Sequence, residues 1–129
     1  MNGYLLDSNI ALRATVHAAS LPAKVRRAVA RGPNFLSVIS YWEVVLKAMK
    51  GKLSVGDPRV WWQDTLDQLA ATPVPLRPDH VSGIAGLPPV HQDPFDRALI
   101  AQAQVEELVL VTTDDALAAY ATKRFQVLV

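Results

Sequence analysis

The chain has 129 residues, half of them hydrophobic, and a net charge of +1, so it has room for one domain, residues 1–129, with a real core and no overall pull toward a polyanion. Cysteine is absent, which excludes disulfides and thiolate metal sites and fits a reducing compartment. The start "MNGYLLDSN" lacks the basic and apolar regions of a signal peptide, and no run of about 18 apolar residues exists to span a membrane, so a cytoplasmic protein is expected.

In chain order, "GYLLDS" predicts a buried strand with Asp7 at its carboxyl end. "NIALRATVHA" predicts a helix, and "LPAKVRRAVARG" a second, with Pro22 early and Gly32 as its stop. "NFLSVI" is the next strand. "SYWEVVLKAMKG" is a helix ended by Gly51, and "DPRVWWQDTLDQLAA" is another with Asp57 as cap and Pro58 at its first position. "VPLRP" reads as a brief strand and "DHVSGIAGLP" as a short helix. "DPFDRALIAQAQVEE" is a helix with the same Asp-Pro start. "LVLVTT" is the clearest strand, followed by the helix "DDALAAYATK" and the strand "FQVLV". Apolar strands alternating with amphipathic helices predict an α/β fold with a parallel sheet and helices on both faces. Ligand sites in such sheets gather at the carboxyl ends of the strands, where Asp7, Asp114 and Asp115 fall.

The stretch "HQDPFDRALIAQ" holds two aspartates with different prospects. Asp93 precedes Pro94, where a helix cap belongs. Asp96 heads the apolar stripe of Leu99, Ile100 and Ala103, so it lies in the first turn but faces the protein. Its bland role is to meet the free N–H groups and positive end of that helix. Asp7 has an equally bland role as the cap of the first helix, and one of Asp114 and Asp115 is expected to cap the last. Glu43 fits a capping box with Ser40, pairs with Lys47 four residues on, and lies off the stripe of Trp42, Val45, Leu46 and Met49. Periodicity alone therefore keeps Glu43 out of any site.

Together the acids offer oxygen ligands without His or Cys, a set suited to Mg²⁺ or Mn²⁺ rather than zinc. Crowded carboxylates repel, a divalent cation compensates them, and such a cation serves phosphodiester hydrolysis. Other groups carry less. Lys24, Arg26, Arg27 and Arg31 form a basic cluster on one helix, either a solvated face or a phosphate contact with RNA. Trp61 and Trp62 are adjacent, so one is expected to cover the core and the other to meet a partner. His17, His80 and His91 receive no role, and Arg97 is expected to face solvent.

Four segments in this order, "LLDSN", "SYWEVVLK", "DPFDRALIAQA" and "LVTTDDAL", resemble the PIN-domain ribonucleases, most of all the VapC-like toxins of bacterial toxin–antitoxin pairs. "DPFDRALIAQA" is the most specific of them. The resemblance implies an α/β/α sandwich around a parallel sheet, Mg²⁺ or Mn²⁺ dependence, and hydrolysis of structured RNA. It also implies a homodimer and an antitoxin partner that blocks the site. Its metal-binding acids fall here on Asp7, Glu43, Asp96 and Asp114, which overrides the bland reading of Glu43 and leaves Asp115 as the expected cap. Ser8 stands where the family often has a small hydroxyl that supports the site, and the role of Asn9 is open. Two other functions compete. One is a PIN-like module that binds RNA or protein without cutting, against which stands the presence of all four acids. The other is a phosphatase or receiver-like domain using Asp7, against which stands Asn9 where a phosphatase of the haloacid dehalogenase type needs a second acid.

Overall fold

A computed structural model of the chain describes residues 2–89, 92–122 and 125–128. Five parallel strands, β1 (Tyr4–Leu6), β2 (Asn34–Ser37), β3 (Ala71–Val74), β4 (Val109–Val111) and β5 (Val127–Leu128), lie in the order β3-β2-β1-β4-β5. The helices are α1 (Ser8–Val16), α2 (Ala23–Arg31), α3 (Val38–Met49), α4 (Pro58–Gln68), α5 (Pro78–Ala85), α6 (Pro94–Val105) and α7 (Asp115–Ala118), with one 3₁₀ turn at Ala18–Ser20. The architecture is an α/β/α sandwich around a parallel sheet. No helix among the described residues is long and apolar enough to cross a membrane.

Strand periodicity builds the two core layers. Leu5 and Leu110 turn to one face, against Leu99, Ile100 and Ala103 of α6. Tyr4, Leu6, Val109 and Val111 turn to the other, against Ile10, Val25 and Leu66 of α1, α2 and α4. β1 is buried at every residue because it has strands on both sides and helices on both faces.

Three boundaries and the placement of the tryptophans differ from the sequence expectation. β2 stops at Ser37, because that serine accepts a hydrogen bond from the Ile39 N–H at 2.9 Å and caps α3. Ser40 therefore lies inside α3, and the expected capping box with Glu43 does not form. The third strand covers Ala71–Val74, beginning three residues earlier than "VPLRP"; it sits at the sheet edge, where Pro73 is tolerated, and Pro75 begins the connection to α5. Asp114, not Asp115, caps α7, accepting from the Ala116 N–H at 3.0 Å. Finally, the adjacent tryptophans are both covered: Trp61 is buried, and Trp62 stacks on Tyr41 with ring centroids 4.6 Å apart. Trp42 is the exposed one, at 53%.

Gly3 shows how closely β1 passes β2. Its φ is +140°, and a Cβ there would lie 2.7 Å from the Pro33 carbonyl oxygen and 2.8 Å from the Phe35 ring. Gly3→Ala is therefore expected to cost about 2 kcal/mol or more. Urea unfolding measures it, and a loss below about 0.5 kcal/mol, ordinary for a surface change, would contradict this close approach.

Candidate metal centre at the carboxyl edge of the sheet

Parallel pairing brings distant residues level. Leu6 is in register with Leu36 on one side and Val111 on the other, so Asp7, Ser37 and Thr112 leave the sheet at the same edge. The Asp7 N–H donates to the Val111 carbonyl at 3.0 Å. One Asp7 oxygen, Oδ1, accepts from the Ile10 N–H at 2.8 Å and caps α1, while Oδ2 accepts from the Thr112 hydroxyl. Thr112 is fully buried and its Oγ1 also accepts from the Asp114 N–H at 3.0 Å, so it ties Asp7 to the start of α7.

Glu43 comes from the second turn of α3. Its Oε1 accepts from Ser8 Oγ at 2.5 Å, and Lys47 Nζ lies 3.9 Å from its other oxygen. Asp93 caps α6, accepting from the Phe95 N–H at 2.8 Å and the Asp96 N–H at 3.2 Å. Asp96 stands in the first turn of α6 and is half-buried. Glu43, Asp93 and Asp96 can each present an oxygen within 4.8 Å of the others. Trp42 meets Phe95 edge-on with centroids 5.0 Å apart, closing α3 on α6 beside these acids.

The electrostatics follow from this crowding. Burial pushes the Asp7 carboxyl from 3.8 up to about 6, the Asp96 and Glu43 carboxylates add to the rise, and the bonds from Thr112 and Ile10 oppose it. Helix N-termini lie behind Asp7, Asp93 and Asp96 and partly offset the repulsion. A second group, Asp79, His80 and Glu106, also has ligand-type atoms in reach of one another, but both its carboxylates are already engaged by an arginine. Arg77 bonds Asp79 Oδ2 at 2.9 Å and Glu106 Oε2 at 2.5 Å, and holds both carboxyls below the usual range. The first group therefore fits a hard divalent cation better. Its three carboxylates are hard oxygen donors, the type that a divalent cation such as Mg²⁺ takes, and each can place an oxygen within 4.8 Å of the other two.

Of the sequence-predicted site residues, Asp7, Glu43 and Asp96 come together, and Asp93 joins them. Asp114 is exposed, serves as a helix cap, and reaches the group through Thr112. Ser8 orients Glu43, while Asn9 Nδ2 donates to Thr113 Oγ1 at 3.2 Å and holds α1 to the end of β4. Sequence reading missed Thr112, whose only signal was a polar residue closing an apolar strand. The basic cluster on α2 splits: Lys24, Arg27 and Arg31 line a cavity of about 540 Å³ beside Tyr4, while Arg26 donates to the Leu21 carbonyl at 3.3 Å. Tyr4 begins β1 and Asp7 follows its end, so that cavity does not converge with the acids. Arg97 does not simply face solvent; its guanidinium donates to the Pro88 and Ile84 carbonyls at 3.0 and 3.2 Å. His17 is exposed, His80 is fully buried, and His91 lies outside the described residues.

An α/β/α sandwich with a carboxylate cluster at the carboxyl edge of a parallel sheet is the class that fold and site define. The chain belongs to the PIN domain family, whose model matches residues 4–123. Among solved structures it is similar to a VapBC2 complex from Rickettsia felis bound to a promoter DNA fragment (TM-score 0.66, 16% identity, 96% of each chain covered). It is also similar to a toxin–antitoxin complex from Klebsiella pneumoniae (0.62, 21%, 95% of this chain and 94% of that one). FitAcB from Neisseria gonorrhoeae is a third (0.62, 19%, 98% and 96%). No curated protein sequence matches the chain.

The raised Asp7 value sets a sign for pH dependence. The folded state holds this proton more tightly than the unfolded chain, so the group's contribution falls as pH rises from 3.8 through about 6 and stays low above that. Relieving it is worth about 3 kcal/mol at neutral pH. Asp7→Asn keeps the cap, since asparagine caps as well as aspartate. In chelator the variant should melt above the parent at about pH 7.5, with the gap closing near pH 4. A variant that melts lower at about pH 7.5 would contradict the crowded-acid electrostatics.

Proposed function

We propose that the chain is a Mg²⁺- or Mn²⁺-dependent endoribonuclease toxin, neutralised by a cognate antitoxin in the cytoplasm. The observation that carries this reading is the approach of Glu43, Asp93 and Asp96 to within 4.8 Å beside the buried Asp7. The PIN family match and the toxin–antitoxin complexes among the similar structures support it. In this reading Asp7, Glu43, Asp96 and Asp114 are the metal-binding and catalytic acids. Asp7, Glu43 and Asp96 hold the cation directly, and Asp114 acts from the rim after a small turn of its exposed side chain. A divalent cation bound there supplies Lewis acidity and positive charge to a phosphodiester. Ser8 fixes one Glu43 oxygen and Thr112 fixes one Asp7 oxygen, so outer hydroxyls hold both carboxylates in place. The outer face of α3, with Trp42 and Met49 exposed, is the surface we assign to protein partners, a second copy and the antitoxin.

Asp96→Asn is expected to keep the fold and lose RNA cleavage by on the order of a hundredfold or more, because an amide is a poor ligand for a hard cation. Asp93→Asn keeps the α6 cap and should lose much less. Cleavage of a mixed RNA pool in Mn²⁺ measures both. A parent that cuts no RNA while binding it would point to a silent PIN module, and equal losses in the two variants would overturn the division of roles.

A further inference from the structure

Gln102 is fully buried in the middle of the apolar face of α6, where a leucine would pack without any polar cost. Its amide is instead satisfied by three neighbours. Nε2 donates to the Pro75 carbonyl at 3.2 Å and approaches His80 Nδ1 at 3.4 Å, and Oε1 accepts from the Ser37 hydroxyl. A carbonyl only accepts, so Nε2 must face Pro75, and the Ser37 hydroxyl must donate. That same Ser37 oxygen accepts from the Ile39 N–H at 2.9 Å and caps α3. On the far side His80 Nδ1 accepts from the Arg77 N–H at 3.0 Å, which leaves Nε2–H to donate to Glu106 at 3.1 Å. Arg77 closes the chain on Glu106.

The placement of this network matters more than its strength. Ser37, the cap of α3, meets Gln102 of α6, and six residues along the chain from each, in opposite senses, Glu43 of α3 meets Asp96 of α6. The Trp42–Phe95 contact lies beside the acidic end of this pairing. α3 and α6 are thus joined by two rungs about 9 Å apart along the helix axes, six residues at 1.5 Å each. The acidic rung repels itself when no cation is bound, so it cannot set its own spacing. The Gln102 rung can, because a directional buried bond has one geometry and the helices between the rungs are stiff.

We infer that Gln102 is a positioning residue that fixes the separation of Glu43 from the acids of α6, a role that rests on the metal-centre reading above. The test uses the full chain at neutral pH. Calorimetric Mn²⁺ titration, kcat and KM on RNA, and melting in chelator are measured for the parent, Gln102→Leu, Ser37→Ala and, as a surface control on the same helix, Gln104→Leu. Gln102→Leu should lower Mn²⁺ affinity about tenfold, the range seen when a ligand's outer support is lost, and lower kcat with KM for RNA little changed. Ser37→Ala should move affinity in the same direction, and Gln104→Leu should match the parent. If Gln102→Leu does not fold, Ser37→Ala reads the same rung from its other end. Parental Mn²⁺ affinity and kcat in the folded variants would overturn the inference while leaving the metal centre intact. A parent that binds no Mn²⁺ would instead overturn the metal centre itself.

Discussion

Everything at the candidate site depends on three residues of strand. β1 is buried at each position and paired in parallel on both sides, with Leu6 level with both Leu36 and Val111. That register decides which residues leave the sheet together. A slip of one residue would turn Asp7 to a different face and exchange the two core layers. Leu5 and Leu110 on one side, and Leu6 and Val111 on the other, make such a slip costly, because it would carry four fully buried side chains to the wrong faces. The apolar core therefore fixes an arrangement of acids that electrostatics alone would oppose.

That opposition is met locally. Ser8 and Thr112 hydroxyls, the N-terminal amides of α1 and α6, and Lys47 at 3.9 Å each take part of the charge. None is a guanidinium lodged between two carboxylates. The Arg77 cluster shows the contrast within one molecule: there an arginine bridges Asp79 and Glu106, and both carboxyls are held low. At the sheet edge the Asp7 carboxyl is held high, at about 6. One cluster is internally satisfied and serves the fold, while the other keeps unspent ligand capacity.

The legible parts of the chain were those with a strong local signal. Asp-Pro pairs announced the starts of α4 and α6, and the wheel argument set Asp96 on the inner side of α6. The run "LVLV" declared β4. What was lost depended on contacts between distant segments. Ser37 and Ser40 are both good caps by type, and only the pairing of β2 with β1 decides where the strand yields to the helix. Asp114 and Asp115 are equivalent in sequence, but Thr112 holds the Asp114 N–H and selects it as the cap. Periodicity put Glu43 off the apolar stripe of α3. It failed because the inner side of that helix is partly polar, with Ser40 buried and Glu43 facing Ser8. Family resemblance, not the helical wheel, was what set Glu43 beside the acids of α6. His80 and Gln102 gave no signal at all, since a buried polar residue is recognised by its partners and not by its neighbours in the chain.

The central claim is that the acids of the carboxyl edge form one cation site. The most direct measurement is anomalous diffraction from crystals of the full chain soaked in Mn²⁺. The account predicts an anomalous peak within ligand distance of Glu43 and Asp96, on the side of α1 that carries Asp7. A map with no peak there, or with its peak at Asp79 and Glu106 instead, would contradict it.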